Sequence, residues 1–251
     1  MKSRILLAGV LLACFGAQSV IAADYPQPVY APQQPQPVVV PPYTWTGVYI
    51  GINGGYGNAA FGDVTATTIG TVSRGSAKGG IVGGQIGANY QVGAGVFGIE
   101  ADGQWSGQTR TSTIICGGIC AGTETAKITS FATLRGRAGL ASDRALFYAT
   151  AGGAWTSASD QIVGAVAPFN GTLLSVNGNK VGWTVGGGVE AAFYGNWSIK
   201  AEYLYIATNN ISASSALPFG LGTLTESGNI RDNVKRVGIN YRFGPTGLVA
   251  Y

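Results

Sequence analysis

The stretch Val237-Gly238-Ile239-Asn240-Tyr241-Arg242-Phe243 alternates without a fault: each odd position is large and apolar, each even one is Gly, Asn or Arg. A period of two puts successive side chains on opposite faces of a β-strand. Segment 197–205 reads the same way, with Lys200 and Glu202 on its polar face, and so does 97–105, with Glu100, Asp102 and Gln104. Segments 47–56, 80–90, 128–140, 145–155 and 181–193 follow the pattern less strictly. Segment 145–155 is the least regular, because Leu146 and Tyr148 leave both of its faces apolar. The chain thus carries eight candidate strands.

The connections between them alternate in length. Those at 57–79, 106–127, 156–180 and 206–235 are long, and those at 91–95, 141–144 and 194–196 are short. Long loops on one rim and tight turns on the other mark an up-and-down barrel of the bacterial outer membrane. The connections 57–79, 156–180 and 206–235 are polar and rich in Gly, Ser and Thr, and partial disorder is expected there. Pro168, Pro218 and Pro245 fall in loops or after the last strand, as a ladder that must keep every hydrogen bond in lipid requires.

Composition agrees. Of 251 residues 41 are Gly and only 10% are charged, although 46% are hydrophobic; about 25% charged is usual. There is no His, which excludes Ser-His-Asp and Cys-His catalysis and His-ligated zinc or haem. The polar strand faces carry Glu100, Asp102, Glu190 and Glu202 against Arg135, Arg137, Lys200 and Arg242, four charges of each sign. In a β-sandwich these would face water. In a barrel they point into the lumen and neutralise one another. Trp105, Trp155, Trp183 and Tyr205 sit at the strand ends beside long loops, and Tyr90, Phe97, Phe147, Phe193, Trp197, Tyr241 and Phe243 sit near the short turns, as the two interfacial girdles of a spanning barrel require. The fold class expected is all-β, an eight-stranded antiparallel up-and-down transmembrane β-barrel over residues 45–243.

Residues 1–23 read as a signal peptide: Lys2 and Arg4, an apolar run, then small residues with cleavage after Ala22 or Ala23. A lipoprotein box ending at Cys14 and an uncleaved membrane helix are the competing readings. Loss of Lys2 and Arg4 lowers the formal net charge from +4 to +2, which leaves no basic surface for nucleic acid. Residues 24–44 hold seven of the ten prolines and read as an extended periplasmic linker. Cys116 and Cys120, left after export to an oxidising compartment, are a candidate disulfide; two free thiols is the alternative.

The opening Tyr43-Thr-Trp45-Thr-Gly-Val-Tyr-Ile-Gly-Ile-Asn-Gly-Gly-Tyr56 and the closing 237–243 stretch resemble the porin-family small outer-membrane β-barrels of alphaproteobacteria, relatives of the OmpA and OmpX type barrels. The resemblance spans about residues 43–243. It implies insertion by the barrel-assembly machinery and an aromatic C-terminal assembly signal, here Tyr241 and Phe243, although the tail 244–251 follows and makes Tyr251 the alternative. It also raises haem capture by the loops, for which only a Tyr ligand would be available.

The glycine clusters 79–84 and 186–188 lie within alternating strands and open no helix, so they are not phosphate loops. Glu100 with Asp102, or Glu190 with Glu202, has the composition of a catalytic carboxylate pair, but the cations on the same face favour a salt-bridged plug. Lys78, Lys127, Lys180, Lys235 and Arg236 stand where strands enter from outside, and a ring of them suits lipopolysaccharide phosphates; ordinary solvated loop charge is the alternative. The expected protein is non-enzymatic, binds no cofactor, contacts outer-membrane lipids and lipopolysaccharide, supports the envelope and displays its loops. A narrow pore and ligand or host-surface binding by loops are the alternatives.

Overall fold

The computed structural model describes residues 43–61, 64–66, 70–72, 75–116, 120–164, 171–209, 211–216 and 223–244. The expected signal peptide, the linker up to Pro42, the loop prolines and the tail beyond Gly244 lie outside them. So do the side chains of Cys116 and Cys120; their backbones stand opposite each other in register.

Every element among the described residues is a strand: β1 (Gly47–Ala60), β2 (Val64–Ala66), β3 (Gly70–Val72), β4 (Ser76–Val92), β5 (Gly95–Cys116), β6 (Cys120–Ser142), β7 (Ala145–Gly164), β8 (Gly171–Tyr194), β9 (Trp197–Thr208), β10 (Ile211–Ala216), β11 (Thr223–Gly228) and β12 (Arg231–Phe243). Eight of them close a barrel in the order β1-β12-β9-β8-β7-β6-β5-β4, each pair antiparallel. Following the register from Val48 through Ala88, Ile99, Gly136, Ala151, Val185, Tyr205 and Asn233 returns to β1 at Asn58, ten residues past the start. Such a stagger tilts the strands by roughly 35–45° and leaves an interior about wide enough for side chains to fill.

The tight turns are Gly93-Ala94, Asp143-Arg144 and Gly195-Asn196, each opening on a left-handed residue with φ of 58°, 50° and 50°. Glycine suits two of them, and Asp143 belongs to the few other residue types that tolerate that region.

The opposite rim differs from expectation. β5, β6, β7 and β8 run for 22, 23, 20 and 24 residues, where about 9–11 cross the hydrocarbon. Much of the expected loops 106–127 and 156–180 is therefore barrel wall. The reason lies in side chains such as Thr109, Thr111 and Thr113 on β5 and Thr123 and Thr125 on β6. Beyond the lipid the outward positions meet polar surroundings, so the hydrophobic alternation stops while β-branched Thr still favours the ladder. Within 57–79 and 206–235, β2, β3, β10 and β11 form a second sheet of order β10-β11-β2-β3. β6 also changes phase. A bulge at Thr129, between the pairs Ile128–Ala158 and Ser130–Ser157, lets Ile128 and Phe131 both face inward.

The surface is inverted. Ile52, Val82, Ile99 and Trp105 are 59–72% exposed, while Glu100, Arg135 and Lys200 are 1–2% exposed. The aromatic side chains expected in the two girdles face outward; Trp197, Tyr241 and Phe243 stack edge to face with centroids 5.0 and 5.1 Å apart. Leu146 and Tyr148, which blurred segment 145–155, turn inward.

Candidate functional site: the barrel lumen

Alternation aims the even residues of β5, β8, β9 and β12 and the odd residues of lower β6 into the barrel, which brings eight charges together. Glu100 and Arg135 are cross-strand neighbours, as are Glu202 and Arg236. Arg135 donates to Glu100, to Asp102 Oδ2 at 2.9 Å and to Glu202 Oε1 at 2.9 Å. Lys200 reaches across the lumen to both oxygens of Glu100 at 2.9 Å. Arg236 donates from Nη1 to Asp102 Oδ1 at 2.8 Å and from Nη2 to Glu202 Oε2 at 2.6 Å. Arg137 pairs with Glu190 at 2.5 Å and lies 3.6 Å from the centroid of the Tyr148 ring.

Neutral donors complete each carboxylate. Tyr49 Oη serves Glu100 at 2.7 Å, Thr133 Oγ1 serves Asp102 at 2.5 Å, and Tyr148 Oη serves Glu202 at 3.2 Å. Ser198 Oγ and Asn240 Nδ2 hold Glu190 at 2.5 and 2.8 Å. Four carboxylates face four cations, so the desolvated cluster is neutral, the condition under which buried charges are tolerable.

Two expectations are corrected here. Arg236, assigned to the external ring, is buried in the lumen and completes the network. Arg242, assigned to the network, lies below it: its guanidinium sits 4.7 Å from the centroid of Tyr43 and donates to the Thr46 carbonyl at 3.0 Å. The parity of β12 decides the first, and position along the strand the second. Lys235 shares the outward phase of Val237, whereas Arg236 shares the inward phase of Asn240. Arg242 is inward too, but at the very end of the strand. Tyr49, Tyr148, Thr133, Ser198 and Asn240 escaped the sequence reading, although each falls on an inward parity.

Other layers of buried side chains flank the network. Beneath it, Tyr43 and Trp45 fold into the mouth, rings 5.1 Å apart, and pack with Val96, Leu146, Tyr148 and Ala192. Trp45 N donates to Gln91 Oε1 at 2.7 Å, which fixes the plug to β4. Tyr43, expected in the linker, is part of this plug. Above the network lies an apolar layer of Ile81, Phe131, Ala154, Leu204, Ile206 and Val234.

On the outer wall, Lys78, Lys127 and Lys235 are exposed, as the ring requires. Lys180 is not; it is half-buried and in the inward phase of β8. Arg231, which the ring omitted, is exposed on the outward face of β12. Among the described residues no group of three or more His, Cys, Asp or Glu could hold a metal ion.

The family model for the outer membrane protein beta-barrel domain matches residues 10–243. The 31 kDa outer-membrane immunogenic protein of Brucella melitensis is 34% identical over 253 residues, covering 97% of this chain and all of that one. The 25 kDa outer-membrane immunogenic protein of Brucella canis is 30% identical over 245 residues, covering 97% and 99%. Among solved structures, the attachment invasion locus protein Ail of Yersinia pestis aligns with a TM-score of 0.37 and 14% identity, over 79% of this chain and 99% of that one. Family match, inverted surface and closed eight-stranded wall agree: the chain belongs to the outer membrane protein beta-barrel domain family and is an outer-membrane protein.

Proposed function

We propose that this barrel is closed and non-enzymatic, and that it supports the envelope by gripping the outer leaflet while its prolonged wall and loop sheet stand outside. The observation that carries the reading is the filling of the lumen. An ion entering from the periplasm meets the Tyr43–Trp45 plug, then a fully paired charge layer, then the apolar layer around Phe131 and Leu204. Breaking buried pairs and crossing an apolar layer are both costly. No carboxylate of the network is left as a free acid or base, since each is held by at least two donors. The outward cations supply the grip on anionic lipid headgroups.

Planar-bilayer recording of the purified full chain tests the closed lumen. The expected trace shows no discrete conductance above that of the bare membrane. Reproducible stepwise opening at neutral pH would instead establish a narrow pore.

A further inference from the structure

The lipid-facing wall is dented on one side. In register, Ile52 (β1), Gly84 (β4), Gly103 (β5), Ala132 (β6) and Trp155 (β7) form one outward row, with three small residues between two large ones. Val82 and Trp105 adjoin it one step toward the outside. The result is an apolar furrow of about 820 Å³. The barrel itself does not require these glycines. A Cβ on Gly103 would meet nothing within 4 Å, and one on Gly84 only the Gly51 carbonyl at 3.4 Å. The inward Gly83 and Gly152 differ, because a Cβ there would overlap the backbone of the neighbouring strand.

Further out, β4 and β5 carry Gly80 and Gly107. Then Lys78, Thr109 and Lys127 stand side by side on β4, β5 and β6. The two lysines are two strand spacings apart, about 10 Å at the backbone. Neither has a carboxylate partner among the described residues. The outward charges on the described barrel strands are Lys78, Lys127, Arg231 and Lys235, all cationic.

We propose that this furrow seats an acyl chain of an outer-leaflet lipopolysaccharide whose phosphate is held between Lys78 and Lys127. Charge selects the occupant. A second copy of the barrel, related by a two-fold axis along the membrane normal, would set the lysines of both copies against each other, with no outward carboxylate on the described barrel strands to offset them. A phosphorylated saccharolipid of the outer leaflet instead presents anionic groups above and acyl chains below, the same order as the lysines and the furrow. The proposal rests on the lipid-gripping role given to the outward cations, but it does not depend on whether the lumen conducts.

The test is retention of rough lipopolysaccharide by the full chain, reconstituted in phosphatidylcholine vesicles containing it and then extracted for native mass spectrometry. The wild type should retain the lipid. Lys78→Gln/Lys127→Gln should lower retention at least tenfold, and so should Gly84→Leu/Gly103→Leu, with the heat-modifiable electrophoretic shift of the folded barrel intact. Arg144→Gln, exposed in the tight turn at the opposite rim, should stay within twofold of wild type. If the double leucine variant does not fold, Gly103→Leu alone serves, since its added carbons enter open space. Wild-type retention by either furrow variant overturns the proposal. So does equal retention of phosphatidylglycerol or of dephosphorylated lipopolysaccharide, or a wild-type dimer that the leucines dissociate. A conducting wild type that still retains the lipid would overturn the closed-lumen reading alone.

Discussion

A glycine in this wall has opposite consequences on its two faces. Gly152 faces the lumen, where a Cβ would run into the Leu134 carbonyl on β6. Gly152→Ala should therefore cost about 1–3 kcal/mol, the range of overpacking, read from denaturant unfolding of the protein in lipid vesicles. Gly103→Ala, with nothing within 4 Å of the new carbon, should leave the midpoint unchanged or raise it. The charges obey a harsher rule. Arg135 serves three carboxylates at once, so Arg135→Met strands them and should cost about 3–5 kcal/mol. The same unfolding assay applies, and a loss below 1 kcal/mol would show that water reaches the cluster. At this scale alternation made most of the network legible, because Glu100, Asp102, Lys200 and Glu202 fall on strictly alternating segments, and Arg135, Arg137 and Glu190 on the polar faces of less regular ones. It failed at Arg236 only because the last strand seemed to begin at Val237. Extended back to Arg231, the same parity separates Lys235 from Arg236.

Among the elements, the β6 bulge sets which side chains the upper wall shows to lipid. Below Thr129 the odd residues face inward, and above it the even ones do. Deleting Thr129 alone should leave these faces unchanged, because Ile128 and Ser130 then alternate as neighbours, whereas deleting Thr129 and Ser130 together should turn Lys127 inward with Ala126 and Ile128 outward. Acylation by a membrane-impermeant amine reagent measures it: Lys127 should react in the wild type and the single deletion and be protected in the double deletion, and unchanged reactivity of the double deletion would mean that the hairpin above absorbs the slip. At the periplasmic end, Asp143 holds φ of 50°. Asp143→Val should cost about 1–2 kcal/mol, and Asp143→Gly none, by the same unfolding measurement. The tight turns were readable from chain spacing. The upper ends of the strands were not, since the hydrophobic signal disappears where lipid ends while the hydrogen-bonded ladder continues through Thr109, Thr111 and Thr113.

The molecule as a whole was legible because a bilayer enforces two demands that show in sequence: an oily outward parity, and closure without free edges. The layering of the lumen was hidden. Which inward side chains meet across the barrel depends on the ten-residue stagger, and the stagger is set by pairings that no single strand reveals. Plug, charge layer and apolar layer emerge only after closure. The central claim is that apolar surface faces lipid while the interior is sealed from it, and five tryptophans report on both sides. Trp105 is 72% exposed on the wall and Trp45 is 1% exposed in the plug. Two variants, each keeping one of these as its sole tryptophan, should be compared in vesicles of ordinary and of bromine-labelled phosphatidylcholine. Brominated acyl chains should quench the Trp105 fluorescence strongly and leave Trp45 as bright as in ordinary lipid. Equal quenching of the two, or quenching of Trp45 alone, would contradict the inverted barrel.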